Sequence, residues 1–138
     1  MTPPRPALAL LWLVTVLTTT AADEWPQWRG PNRDGVWAET GTIARFATPV
    51  IPRKWTMPIS SGYSGPTVAE GRVYITDYVV SPRQTERVHC FDWETGTKIW
   101  SHAYDCVYAG FGYTAGPRTS VLVADQRAYS LGAMGHLF

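Results

Sequence analysis

Charge is scarce in this sequence: 17% of its 138 residues are Asp, Glu, Lys or Arg, against roughly 25% in an average soluble domain. Basic and acidic residues nearly cancel, 12 against 11. There is thus neither the clustered basic surface of a nucleic-acid binder nor a solvated acidic tail. Cysteine is scarcer still. The two residues, Cys90 and Cys106, have no second Cys or His pair at short range, so the paired-ligand spacing of a zinc site is lacking. No segment repeats apolar residues at the helical period, while Gly (12) and Pro (11) are plentiful. That excludes a helical bundle and favours a turn-rich, all-β chain.

The one long apolar run lies near the start. Arg5 is the sole charge before Asp23, and residues 7–17 form an apolar core followed by Thr18-Thr-Thr-Ala-Ala22. A basic leading residue, a short apolar core, and Thr20 and Ala22 as small residues at positions −3 and −1 describe a secretory signal peptide over 1–22, cleaved after Ala22. As a helix the core would extend about 16 Å, half of the roughly 30 Å of bilayer hydrocarbon, so no stable membrane span is expected after cleavage. No Cys follows it for lipid attachment and no Arg pair precedes it for twin-arginine export, which leaves the general route to the periplasm or cell exterior. Cleavage removes Arg5 and makes the chain formally neutral. In an oxidising compartment Cys90 and Cys106 either join as a disulfide or stay as two separate, half-buried residues.

Residues 23–48 read as a Trp-rich arm, in which Trp25-Pro-Gln-Trp28-Arg-Gly-Pro-Asn-Arg-Asp-Gly35-Val-Trp37 carries no helical period. Exposed tryptophans are costly, so the arm is expected to lie in a groove of the body. Its Asn32-x-Asp34-Gly35 piece lacks the later acidic ligands of a calcium loop and is read as a turn. From residue 49 onward short strands are expected, at 53–57, 65–69, 71–77, 87–92 and 98–102, separated by turn residues.

Internal repetition sets the fold class. Trp55 and Trp100 stand about 45 residues apart, each followed by Gly-Pro (Gly65-Pro66, Gly116-Pro117) and then an Arg-x-Tyr strand (Arg72-Val-Tyr74, Arg127-Ala-Tyr129). Val88-His-Cys-Phe91 is echoed by Gly135-His-Leu-Phe138. Four strands per unit at this period make the blade of a β-propeller, built of four-stranded antiparallel blades. A closed ring needs at least four blades, roughly 180 residues, so 49–138 is expected to hold about one and a half blades of a larger ring. Phe138 would then not be the natural end of the ring.

Asp92-Trp-Glu-Thr-Gly96-Thr-Lys-Ile-Trp100 is the most explicit motif. Asp92 and Thr95 can bond the amides of a hairpin while Gly96 supplies its positive φ, and Trp100 can cover the small residues of the next repeat. Over 49–138 this motif, with Trp55 as an earlier copy of its Trp, resembles the pyrroloquinoline-quinone-like (PQQ-like) β-propeller repeat family, a WD40/YVTN-like architecture. The lead-in around Trp25 and Trp28 is similar to that of secreted bacterial members. The resemblance implies an eight-bladed ring in which the Trp55 strand completes the last blade. Enzymes of the family hold the quinone on a Trp floor beneath a disulfide of adjacent cysteines, with calcium bound by acidic and amide side chains. Here Cys90 and Cys106 are not adjacent, and Asp92 has a full account as a turn residue. No catalytic, metal or cofactor residue is therefore assigned within this chain.

Other chemistries fit less well. His89 and His136 are read as structural positions of successive repeats and His102 as solvent-facing. The Gly-rich stretches at 60–65 and 108–116 lack the following helix of a phosphate cradle, and there is no Gly-x-Ser-x-Gly elbow. The segment 104–113 is longer than its counterpart and carries Tyr104, Asp105, Tyr108, Phe111 and Tyr113. It is either a binding loop for a protein partner or small ligand, or an Ω-loop packed on the rim. The reading the residues support is an exported scaffold that binds a protein or small ligand. Two alternatives stay open: a quinoprotein alcohol or sugar dehydrogenase using PQQ and calcium at a site outside this sequence, and a carbohydrate-binding surface module.

Overall fold

The computed structural model describes residues 24–110 and 116–138; the expected signal peptide, 1–22, and the loop residues Phe111 and Tyr113 lie outside the described residues. β-Branched and aromatic residues alternate with polar ones through the centre of the sequence, a pattern that suits a pleated, half-buried surface. The strands β1 (Thr67–Ala69), β2 (Arg72–Val79), β3 (Thr85–Asp92) and β4 (Lys98–Asp105) pair in chain order as one antiparallel four-stranded sheet. A hairpin of β5 (Leu122–Ala124) and β6 (Arg127–Tyr129) makes a second sheet. The chain is all-β, as composition implied: among the described residues no helix occurs, and none therefore is long and apolar enough to cross a membrane.

The Arg-x-Tyr repeat is structural. Thr67 faces Tyr74 and Ala69 faces Arg72 in the first hairpin, while Leu122 faces Tyr129 and Ala124 faces Arg127 in the second. Both turn through two residues of positive φ, Glu70 (52°) and Gly71 (69°) in one, Asp125 (50°) and Gln126 (60°) in the other. Such turns match the right-handed twist of the strands they join. The next echo is out of step with the expectation. Ser130 and Phe138 exchange backbone hydrogen bonds of 3.1 Å, whereas Ile75, the counterpart of Ser130, faces His89. His89 thus corresponds to Phe138 and not to His136, because a tight turn at 132–135 replaces the longer connection between β2 and β3.

Strand alternation gives the four-stranded sheet two distinct faces. Tyr74, Val88 and Cys90 on one face form an apolar cluster with Ala69, Val121 and Val123, and Ala128 packs against it. Burying a side chain of this size contributes roughly 1.5–3 kcal/mol. Thr67 Oγ1 fastens the two sheets by donating to the Val121 carbonyl at 2.5 Å. The other face carries Asp77, Arg87, His89, Phe91 and Ser101 and meets the segment around 55–61. There Trp55 lies beside Phe91, ring centres 6.4 Å apart.

Two expected placements need correction. Residues 53–57 form no strand; the segment runs alongside the β3–β4 turn and is held by side chains, with Lys54 paired to Glu94 and Trp55 Nε1 donating to the Trp93 carbonyl at 2.8 Å. The arm is seated only at its start. Trp25 bridges Val68 of β1, and the Pro26 carbonyl accepts from Val123 at 2.8 Å, but Trp28 and Trp37 remain 69% and 66% exposed. Beyond Pro26 the arm satisfies its own polar groups: Arg33 donates to Gln27, Arg29 to the Asp34 carbonyl, and Val36 N to Asp34 Oδ1. These bonds make residues 27–36 a self-contained turn with no demand for a groove.

Candidate functional site

Chemistry-bearing residues gather in three places on the four-stranded sheet. The first is the β3–β4 hairpin. Asp92 Oδ1 accepts from Glu94 N (3.0 Å), Thr95 N (2.8 Å) and Thr95 Oγ1 (2.8 Å), and Gly96 N donates to the Asp92 carbonyl at 2.9 Å. These bonds, those from Thr95 first, hold the Asp92 carboxyl below its ordinary range. Gly96 takes φ +71°, and Trp55 fills the space over it. Asp92, Thr95, Gly96 and Trp55 therefore act together as one structural turn. Trp100 lies apart on β4, 37% exposed, with its ring centre 6.0 Å from that of Tyr74.

The second place joins β3, β4 and the following loop. Glu86, 1% exposed, accepts from the hydroxyls of Tyr104 and Tyr108 and from Ala133 N at 3.1 Å. The Tyr108 ring stacks on Tyr78 at 4.2 Å, and Gln84 Oε1 accepts from both Tyr78 OH and Tyr108 N. Gly132 approaches Glu86 and Tyr104 so closely that any side chain there would overlap them. Burial, the bond to Glu86 and its charge push both tyrosine hydroxyls far above their ordinary pKa. The assumed loop starts later than expected: Tyr104 and Asp105 belong to β4, and Asp105 pairs with Arg83 at 3.0 Å. Tyr108 stands in the loop proper, and Phe111 and Tyr113 fall outside the described residues.

Cys90 and Cys106 are separate, fully buried free thiols. Cys90 faces Trp100, while Cys106 N bonds the Gln84 carbonyl. The two are nearly the length of β3 apart, about 20 Å at 3.3 Å per residue, far beyond the reach of a disulfide. Burial, reinforced by the charge of Glu86, pushes the Cys106 thiol up to about 11. Cys106 Sγ lies 3.8 Å from His136 Nδ1.

The third place was not foreseen. Asp77, fully buried, takes both forks of Arg87 at 2.8 and 2.6 Å, the Ser60 amide at 2.7 Å and His89 Nε2 at 3.1 Å. Burial opposes its charge, but the bonds from His89, Arg87 and Ser60 outweigh it, and the carboxyl is held well below its usual range. His89 Nδ1 in turn lies 3.0 Å from Ser101 Oγ. The signal in the sequence was available: Asp77, Glu86, Arg87 and His89 are polar groups inside strands that also carry core residues such as Tyr74, Val88 and Cys90, where each must find a partner. Among the described residues no group of three or more His, Cys, Asp or Glu is placed to hold a metal. No protein-family model matches the sequence, and neither a curated protein nor a solved structure matches it.

Proposed function

We propose that the chain supplies blades to an exported β-propeller of the PQQ-like repeat kind, which acts as a binding scaffold for a protein or small ligand. Two features support the architecture: hairpins of equal register in successive units, and Trp55 seated on the Gly96 turn of the following sheet, as the repeat motif requires. The observation that carries the binding role is the loop after β4. Its base is fixed by Glu86 and by the Tyr78–Tyr108 stack, and Val107, next to Tyr108 in the chain, stands 68% exposed. A loop base ordered in advance loses less conformational freedom on binding, which is how an exposed apolar residue beside it gains affinity. Export follows the signal-peptide pattern of residues 1–22.

A photo-crosslinking amino acid at position 107 of the exported full chain tests this reading. A discrete adduct from position 107, absent when the crosslinker sits at position 70 on the β1–β2 turn, supports a binding loop; equal or no crosslinking from both removes it. Added PQQ and calcium provide the second arm. Saturable quinone binding with alcohol- or sugar-dependent dye reduction would replace the scaffold by a dehydrogenase.

A further inference from the structure

Ser101, His89 and Asp77 stand in line on one face of the sheet, on β4, β3 and β2. His89 and Ser101 are directly opposed across the strand pair, so their approach is set by sheet register and not by mobile loops. The proton positions follow from the partners. Asp77 is an acceptor only, with its charge secured by Arg87 and Ser60 N, so His89 Nε2 must carry a hydrogen toward it. In the neutral imidazole that leaves the Nδ1 lone pair facing the Ser101 hydroxyl at 3.0 Å. His89 is 5% exposed and Asp77 fully buried, whereas Ser101 lies on the exposed strand. A reachable hydroxyl, a base within hydrogen-bond distance and a third group fixing the base make the arrangement of an activated nucleophile.

We infer that Ser101 is a nucleophile activated by His89, with Asp77 as the positioning residue, reactive toward electrophilic acyl and phosphoryl centres such as aryl esters and organophosphorus fluorides. With an aryl ester, Ser101 Oγ bonds the carbonyl carbon as its proton passes to His89 Nδ1. The carbon–aryloxide bond then breaks, and the aryloxide leaves with that proton. Water, deprotonated by the same nitrogen, later releases the acid and restores the serine. With a fluorophosphonate the phosphorus–fluorine bond breaks instead, fluoride leaves, and the adduct is stable. This inference does not depend on the binding loop, which lies on another part of the sheet.

The test is labelling of the full chain with a biotinylated fluorophosphonate, followed by peptide mapping. The expected result is a single adduct on Ser101, lost in Ser101→Ala and absent from chain unfolded in urea. His89→Gln, checked for folding by near-ultraviolet circular dichroism, should label about a hundredfold more slowly, the usual share of a general base. p-Nitrophenyl acetate should give a burst of p-nitrophenolate that Ser101→Ala abolishes. Absence of a Ser101 adduct under conditions that fully label a reference serine hydrolase, or an unchanged rate in folded His89→Gln, overturns the inference. Crosslinking from position 107 is unaffected by either outcome, so the two proposals fail separately.

Discussion

Trp55 occupies the space in which a side chain on Gly96 would stand: a Cβ at that glycine would fall 2.6 Å from Trp55 Cδ2. Two residues about 40 apart in sequence thus share one volume, and a φ of +71° at Gly96 adds a second demand for glycine. Gly96→Ala should cost the left-handed backbone, about 1–2 kcal/mol, plus the displacement of the indole. Trp55→Ala should cost about 2–3 kcal/mol through lost packing and the lost bond to the Trp93 carbonyl. In the double variant the alanine at 96 has nothing to displace, so the two costs should fall short of adding by at least about 0.5 kcal/mol. Urea unfolding of the four chains of this cycle measures the coupling; strict additivity would mean that the ring and the glycine do not touch.

Asp77 predicts how the protein responds to acid. Its folded-state pKa is depressed, so the folded state binds fewer protons than the unfolded chain over the interval between the two values. The stabilisation is complete above the unfolded carboxylate value of about 3.9 and is lost as pH falls below it toward the folded value. Chemical stability should therefore stay level near neutrality and decline steeply below about pH 4. Asp77→Asn should flatten this acid limb while costing about 3 kcal/mol at pH 7, because the charge that pairs Arg87 is lost and an amide NH2 replaces one of the two oxygens that accept from Arg87, His89 and Ser60. An acid limb that stays equally steep in the variant would place the sensitivity in another carboxylate.

The cysteines give a prediction of reactivity. Cys106, pushed up to about 11, and Cys90, also raised by burial, hold too little thiolate at pH 8 to react, and both are enclosed. Iodoacetamide at pH 8 should modify neither in the folded protein and both in urea. Oxidation of the folded chain should leave two titratable thiols and no intramolecular bridge. Rapid alkylation of either one without denaturant would show that its strand opens locally.

How far the sequence spoke for itself depended on whether a local rule was enough. β2, β3 and β4 follow from alternation, and the Asp92-to-Gly96 turn is complete within its own residues; the two-residue hairpin turns do not, because Glu70 and Gln126 take a positive φ that neither residue favours. Residues 53–57 alternate like a strand, yet they pair with none; Trp55 is instead drawn onto Gly96, a partner that local pattern does not reveal. The His89 and His136 echo failed for a related reason. Identity of letters suggested one register, but the shorter turn at 132–135 imposed another. The triad of Ser101, His89 and Asp77 draws one residue from each of three strands, so its members become neighbours only once pairing is known. Glu86 was equally hidden, since two of its partners, Tyr104 and Tyr108, were assigned to a loop to which only the second belongs.

Glu86 yields the last prediction. Its carboxylate receives two phenols and one backbone amide, so Glu86→Ala takes the shared acceptor from three part-buried donors and opens a cavity beside them. A cost of about 3–5 kcal/mol is expected, the usual range for breaking a buried charged network. Glu86→Gln keeps an acceptor oxygen but turns an amide hydrogen toward one phenol, and its cost should be smaller, about 1–3 kcal/mol. Both variants should release the base of the loop, seen as faster hydrogen exchange at the Tyr108 amide, whose acceptor Gln84 is held in the same cluster. Ultraviolet titration gives a second readout. In the parent chain Tyr104 and Tyr108 should stay un-ionised at a pH where exposed tyrosines have lost their protons, since burial and the negative charge of Glu86 both oppose phenolate formation. Glu86→Gln removes that charge, so their titration should move toward lower pH. Tyrosines that titrate identically in both chains would show that the carboxylate does not hold them.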